Sequence, residues 1–306
     1  MSESSEDYRQ QFSAICSLVD QRLAEVAPAI QPGQAKRVRE SVRYSLLDGG
    51  KRLRPLVTVL TAEALGADPT LAIDVACAIE MVHTASLIID DLPCMDDAAS
   101  RRGKPANHRA HGEDIAILGA ISLVSEAFGL IARSNLPERV RLELTQAFSV
   151  AIGVDGLCTG QERDLRDTEA GGESLDQLQY QKTGSLFALC LESGARVAGL
   201  TGDDIEPLRQ FGEHAGLGFQ IFDDLLDVLS SEQATGKDHA QDRDKPTAAS
   251  TLGTEGARRR ADEELKAAIA ALDTARLDTR PFSAFLDFVL MAFDHQVNGA
   301  TQSRTL

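Results

Sequence analysis

The chain has 306 residues, 43% of them hydrophobic and 25% charged, the balance of a soluble globular protein long enough to bury a sizeable core. Its net charge of −16 argues against a nucleic-acid partner, and the apolar runs around Ala85–Ile89 and Phe285–Phe293 are too short to predict a membrane span. Met1 to Gln11 is polar and acidic, without a secretion-signal pattern, and five cysteines lacking metal-ligand spacing predict reduced thiols in the cytoplasm.

Helical periodicity recurs from end to end and period-two runs are nearly absent, so the predicted elements are all helices. The first three, at 5–28, 34–48 and 53–66, bracket the stretch GGKRLRP (Gly49–Pro55). Cations at a helix N-terminus oppose the helix dipole, a conflict that a bound anion relieves. The fourth helix, at 70–92, drives the apolar segment SLII into Asp90, Asp91, Asp96 and Asp97. Pro93 cannot continue that helix. The chain should therefore bulge after Asp91 and bring Asp96 or Asp97 back towards Asp90, which makes a carboxylate pincer. His83 shares the face of Asp90 two turns earlier. A lone histidine in an apolar helix also reads as a core residue, and both readings stand. A second basic cluster, RRGKP (Arg101–Pro105), follows.

Helices are next expected at 112–133, 137–166, 174–198 and 203–229. The last contains GLGFQIFDDLLDV, in which Asp223 and Asp227 lie one turn apart on one face with Asp224 beside them. Like charges at that spacing destabilise a helix slightly. A divalent cation reverses the cost, and oxygen-only ligands shared with substrate phosphates suit magnesium best. The polar stretch 230–256 reads as a long loop, more readily a lid over the second cluster than a plain disordered connection. Helices at 255–273 and 280–298 close the chain. No repeat and no linker divides it, so residues 1–306 are expected to form a single all-α domain.

Taken together, GGKRLRP, MVHTASLIIDDLPCMDDAASRRGKP, GQERDL, QKTGSLF and GFQIFDDLLDV…TGKDHAQDRDKPT resemble the ordered motifs of the trans-isoprenyl diphosphate synthases. The resemblance runs from about residue 40 to 260. The PCMDDA wording is most similar to bacterial geranylgeranyl diphosphate synthases of the carotenoid-pathway kind, with farnesyl diphosphate synthases as near neighbours. It implies the isoprenoid synthase fold, a bundle of ten or more helices around a deep central pocket, in a homodimer.

The resemblance also implies site roles. Three Mg²⁺ ions, with Mn²⁺ able to stand in, would bridge an allylic diphosphate (dimethylallyl, geranyl or farnesyl) to Asp90, Asp96 and Asp223. Asp91, Asp224 and Asp227 would support those ions directly or through water. Arg101, Lys182 and Lys237 would hold the allylic diphosphate, with Lys245 near it. Isopentenyl diphosphate would sit against Lys51, Arg54, His83 and Arg102. Thr183 and Gln220 would face the reacting carbons, and Gln161 and Asp164 match a helix motif lining the site. One departure is DDAASRRG, where many relatives read DDDDLRRG; both Asp96 and Asp97 remain.

Such chemistry needs no side-chain nucleophile. The allylic C–O bond would ionise against metal and basic side chains, the double bond of isopentenyl diphosphate would attack the cation, and a proton would then leave to the released diphosphate. Product length turns on Ala85, about 7.5 Å below Asp90 along the helix. Farnesyl-producing relatives of this bacterial type commonly carry an aromatic floor there. A small Ala85 implies a longer product, geranylgeranyl (C20), with Met81 as the next floor and farnesyl (C15) as the alternative. A class I terpene cyclase or a non-catalytic subunit of a hetero-oligomeric synthase are remoter readings. A cyclase binds one diphosphate, whereas the separate basic set at Lys51, Arg54 and Arg102 suggests two.

Overall fold

The structure, a computed structural model, describes residues 3–29, 35–166, 184–233, 248–274 and 277–302, with side chains over a slightly narrower set. The helices in chain order are α1 (Glu3–Val26), α2 (Lys36–Leu46), α3 (Leu53–Ala64), α4 (Ile73–Asp90), α5 (Asn107–His111) and α6 (Glu113–Arg133). They continue with α7 (Glu138–Ile152), α8 (Leu157–Arg166), α9 (Ser185–Val197), α10 (Glu206–Gln233), α11 (Ala248–Thr274) and α12 (Arg280–Gln302). The extended backbone among the described residues is one two-residue hairpin, β1 (Ser100–Arg101) against β2 (Lys104–Pro105).

The described residues gather into two compact units, one built from Arg9–Phe148 with Ser193–Leu200, the other from the remainder. In the first unit α4 is the buried helix. It is apolar nearly all round, and Val75 to Val82, Thr84, Ala85 and Ile88 are all buried. A helix with no polar face must be surrounded, and α2, α3 and α6 pack on it. Its end is set by sequence: Pro93 blocks a further turn, and the Asp91 N–H makes the last helical bond, to the Leu87 carbonyl at 3.1 Å.

In the second unit α10 packs along α11 and contacts α12. Glycines permit its close approach to α9. A Cβ on Gly212 would stand 2.6 Å from the Ala188 Cα, and one on Gly216 2.8 Å from the Gly184 Cα. Edge-to-face aromatic pairs fill the rest, Phe187 with Phe219 at 5.2 Å and Phe211 with Phe282 at 5.3 Å between ring centroids.

Several expectations need correction. The helix expected over 137–166 is broken into α7 and α8, because Gly153 and Gly156 allow a tight turn whose carbonyl contacts leave no room for a Cβ. The stretch 230–256 is not one long loop: α10 runs on to Gln233 and α11 begins at Ala248, with a bend at Gly253. Residues 234–247, where a lid was expected, lie outside the described residues. The apolar runs are also longer than they first read. The segment Pro69–Asp90 and helix α6 are each long and apolar enough to cross a membrane by length and composition, because Ala, Gly, Ser and Thr fill the gaps between larger residues. For Pro69–Asp90, 67% of that window is buried inside the protein, as in a core helix.

Candidate active site

The first acidic cluster closes as a bulge. After Asp90 the chain makes successive tight turns, Leu92 N–H to Ile89 O at 3.1 Å and Met95 N–H to Leu92 O at 2.9 Å. The Asp96 N–H then returns to the Asp90 carbonyl at 2.9 Å, and the Asp97 N–H to the Leu92 carbonyl at 3.0 Å. Asp90 and Asp96, six positions apart in sequence, are thereby hydrogen-bonded neighbours in space. Asp97 adopts a left-handed backbone (φ 44°) and its carboxylate is paired with Arg109 at 2.9 Å.

Asp91 takes a different part from its neighbour. Its side chain is buried, and Arg101 grips it with Nε at 2.9 and 2.8 Å from the two oxygens and Nη2 at 2.7 Å from one of them. The hairpin β1–β2 thus stands over the end of α4 on a bidentate, charge-assisted pair. Arg101 is correspondingly engaged with protein, as well as lying within the field of Asp90 and Asp96.

The basic motifs meet nearby, in the same unit. Arg102, in a left-handed conformation (φ 52°), donates from Nη1 to the Gly49 carbonyl at 2.6 Å. Its guanidinium lies so close to Gly50 that a Cβ there would be 2.8 Å from Cζ. Gly50 itself has φ +123°, so both backbone and space require glycine. Arg54 Nη1 lies 3.3 Å from His83 Nε2, which joins the start of α3 to α4. The His83 ring is held well below the usual histidine pKa, first by burial and then by Arg54, Arg102, Arg101 and Arg52. Arg54 and Arg102 make the surroundings of this imidazole a positive patch, whereas Arg101 and Arg52, which also act on it, are themselves paired with carboxylates. Lys51 is exposed beside it.

A small open cleft adjoins this patch, lined by Tyr44, Thr84, Leu87, Asp91, Arg102 and Asn107 among others. The Tyr44 hydroxyl donates to the Pro105 carbonyl at 2.8 Å, and Asn107 bonds both the Ser41 carbonyl and the Ser45 hydroxyl. These residues fix the hairpin and α5 from below. Polar residues of this supporting kind were not singled out from the sequence, because their partners are more than sixty residues away. Ala85 and Met81 are buried on α4, 3% and 1% exposed.

In the other unit Asp223 is exposed on α10 and Asp224 half-buried, with Gln220 donating to the Asp224 carboxylate at 2.9 Å. Asp227 follows on the same helix, and its side chain is outside the described set. On α8, Gln161 is buried and Asp164 half-buried. Lys182, Thr183, Lys237 and Lys245 fall outside the described residues.

The donor chemistry fits a hard cation. The two clusters offer carboxylate oxygens only. Among the described residues no three His, Cys, Asp or Glu side chains gather tightly enough to cage an ion by themselves. The carboxylates present could hold magnesium, which takes oxygen ligands, keeps waters and shares its shell with substrate phosphates.

Comparison with known proteins agrees with this chemistry. The polyprenyl synthetase family model matches residues 35–279. Farnesyl diphosphate synthase of Bacillus subtilis (strain 168) is 42% identical over 239 residues, 76% of this chain and 80% of its own. Geranylgeranyl pyrophosphate synthase 12, chloroplastic, of Arabidopsis thaliana is 41% identical over 227 residues, 70% of this chain and 62% of its own. A crystal structure of an FPP/GFPP synthase from Zymomonas mobilis, without ligand, superposes with a TM-score of 0.80 at 34% identity, covering 92% of this chain and 97% of that one. The family match and these relatives, with the isoprenoid synthase fold, make the chain a prenyltransferase. The chain belongs to the polyprenyl synthetase family, the trans-isoprenyl diphosphate synthases.

Proposed function

We propose that the protein condenses isopentenyl diphosphate with an allylic diphosphate (dimethylallyl, geranyl or farnesyl), with geranylgeranyl diphosphate (C20) as its main product. The observation that carries this reading is the convergence of Arg54, His83 and Arg102 beside the Asp90–Asp96 bulge. An anion-binding patch separate from the carboxylates favours a second diphosphate, and so a synthase over a cyclase. Intact carboxylates in both motifs favour a working enzyme over a non-catalytic subunit.

In this reading Asp90, Asp96 and Asp223 ligate Mg²⁺, or Mn²⁺ in its place, with Asp224 and Asp227 in support. When bound, the metal neutralises charge developing on the departing diphosphate. Asp91 serves the ions indirectly, through its hold on Arg101. Arg101, Lys182, Lys237 and Lys245 orient the allylic diphosphate, while Lys51, Arg54, His83 and Arg102 hold isopentenyl diphosphate. Gln220 and Thr183 face the reacting carbons. The small side chain of Ala85, with Met81 one turn deeper, supports a fourth isoprene unit and so C20 over C15.

Residues 1–306 act as one catalytic domain, a reading supported by a family match that runs through both units. A homodimer is supported by α6, which leaves Ile117, Leu118 and Ile121 exposed as an apolar stripe. Five free thiols suit the cytoplasm.

The test is purified protein with Mg²⁺, radiolabelled isopentenyl diphosphate and each allylic primer, with products resolved by chain length. Accumulation at C20 from all three primers is expected. Products ending at C15 would overturn the length assignment, and no incorporation at all would overturn the reaction.

A further inference from the structure

GGKRLRP carries three cations, of which Lys51 is exposed and Arg54 reaches His83. Arg52, between Lys51 and Arg54, turns inward: the residue is 4% exposed although it sits in a loop at the start of a helix. Its guanidinium is shared among three elements. Nε donates to Asp20 Oδ1 of α1 at 2.8 Å, Nη1 to Glu80 Oε1 of α4 at 2.6 Å, and Nη2 to the Leu46 carbonyl at the end of α2 at 3.0 Å. Glu80 is itself 2% exposed. The backbone of Arg52 is left-handed (φ 48°, ψ 31°), a conformation that costs a non-glycine residue energy and persists only when its surroundings impose it.

Stability does not account for this arrangement. A buried ion pair contributes little net stability over an apolar pair of similar volume. What the pair does fix is geometry. Glu80 and His83 lie one helical turn apart on α4, while Arg52 and Arg54 flank the first residue of α3. Two links therefore cross the same pair of helices side by side, Arg52 to Glu80 at 2.6 Å and Arg54 to His83 at 3.3 Å. The first is satisfied entirely by protein. The second belongs to the positive patch.

We propose that Arg52 and Glu80 form a positioning clamp that holds Lys51, Arg54 and His83 in the register needed to bind the diphosphate of the homoallylic substrate. The left-handed turn at Arg52 leaves Lys51 exposed and sends Arg54 to His83, and the three-way grip on the Arg52 guanidinium imposes that turn. A lysine could not replace it, because an ammonium has no planar fork to span two carboxylates and a carbonyl in fixed directions. The inference rests on the proposed function for the identity of the ligand, and its test separates the two.

The probe is isopentenyl diphosphate titrated calorimetrically in EDTA without an allylic primer, so that neither metal nor turnover contributes. The double variant Arg52→Met/Glu80→Met keeps volume and removes both buried charges. It should retain its helical circular dichroism and a thermal midpoint close to that of the unmodified protein. Its affinity for the probe should nevertheless fall by roughly tenfold or more, the scale of one or two lost charge-assisted hydrogen bonds. In turnover with Mg²⁺, KM for isopentenyl diphosphate should rise in parallel while KM for farnesyl diphosphate stays the same. Arg52→Lys should fall between the two, and it decides the matter if the double variant does not fold. Unchanged affinity in the folded variants would overturn the clamp, as would absence of probe binding by the unmodified protein. If the unmodified protein binds the probe but forms no prenyl product, the synthase reading fails, and the clamp still stands or falls on the titration.

Discussion

The Asp96 N–H donates to the Asp90 carbonyl at 2.9 Å, so that a bulge forced by Pro93 makes neighbours of two carboxylates six residues apart. If this pair and Asp223 hold the catalytic ions, Asp90→Ala and Asp223→Ala should each lower kcat by about 10²–10³-fold, the usual cost of removing one charge-stabilising group. Helical circular dichroism should be unchanged. Near-normal turnover with Mg²⁺ would sink the metal assignment.

Asp91 should behave differently from Asp90. Its buried carboxylate satisfies Arg101 with both oxygens, and Asp91→Ala leaves that guanidinium without its anchor. Because Arg101 is partly exposed, the loss should be about 2 kcal/mol rather than the larger cost of a fully buried pair. Urea unfolding of both variants checks this: Asp91→Ala should unfold earlier than Asp90→Ala. Equal midpoints would mean that the Asp91–Arg101 pair holds nothing.

The helices and both acidic motifs were legible in the sequence because they are local. Period 3.6 marks α10, a nearly unbroken apolar run marks α4, and Pro93 beside Asp90 dictates a bulge within six residues. What could not be read depends on distant partners. Nothing in GGKRLRP says that Arg52 points inward, because its carboxylates are Asp20 and Glu80 on other helices. Nothing in DDLP says that Asp91 is reserved for Arg101. The break between α7 and α8 was missed because Gly153 and Gly156 are spaced to sit within a helical pattern, and only the crowding of carbonyls around them reveals the turn.

Close packing of α9 on α10 gives a stability test far from the chemistry. Gly212→Ala places a Cβ 2.6 Å from the Ala188 backbone, so a helix must shift. Overpacking of this kind costs about 1–3 kcal/mol, even though alanine is the better helix former. The thermal midpoint should fall. A rise, as propensity alone would give, would contradict the packing.

Stability should also depend on pH through His83. Its pKa is depressed in the folded protein, so the unfolded chain binds the proton more readily. Stability is then fully present above the unfolded histidine value of about 6.5 and declines as pH falls below it. His111, also lowered by burial, adds in the same direction. Urea midpoints at neutral and mildly acidic pH should differ less in His83→Gln than in the unmodified protein. An equal difference would show that His83 is not held neutral.

Ala85 should set product length. Ala85→Phe puts a ring into a buried position on α4, one and a half turns before Asp90. Chromatography of products from dimethylallyl and farnesyl primers should show output moving from C20 towards C15 while condensation continues. The same C20 fraction in the variant would remove Ala85 as the gate.

At the centre of the account are two diphosphates held by different residues. The most direct measurement is KM for each substrate in Arg102→Ala, whose guanidinium bridges the GGK loop and the hairpin. Loss of one diphosphate contact should raise KM for isopentenyl diphosphate by roughly tenfold. KM for the allylic primer should stay within a factor of about two, since that diphosphate is proposed to rest on other residues. A variant in which only the allylic KM rises, or in which neither changes, would contradict the account.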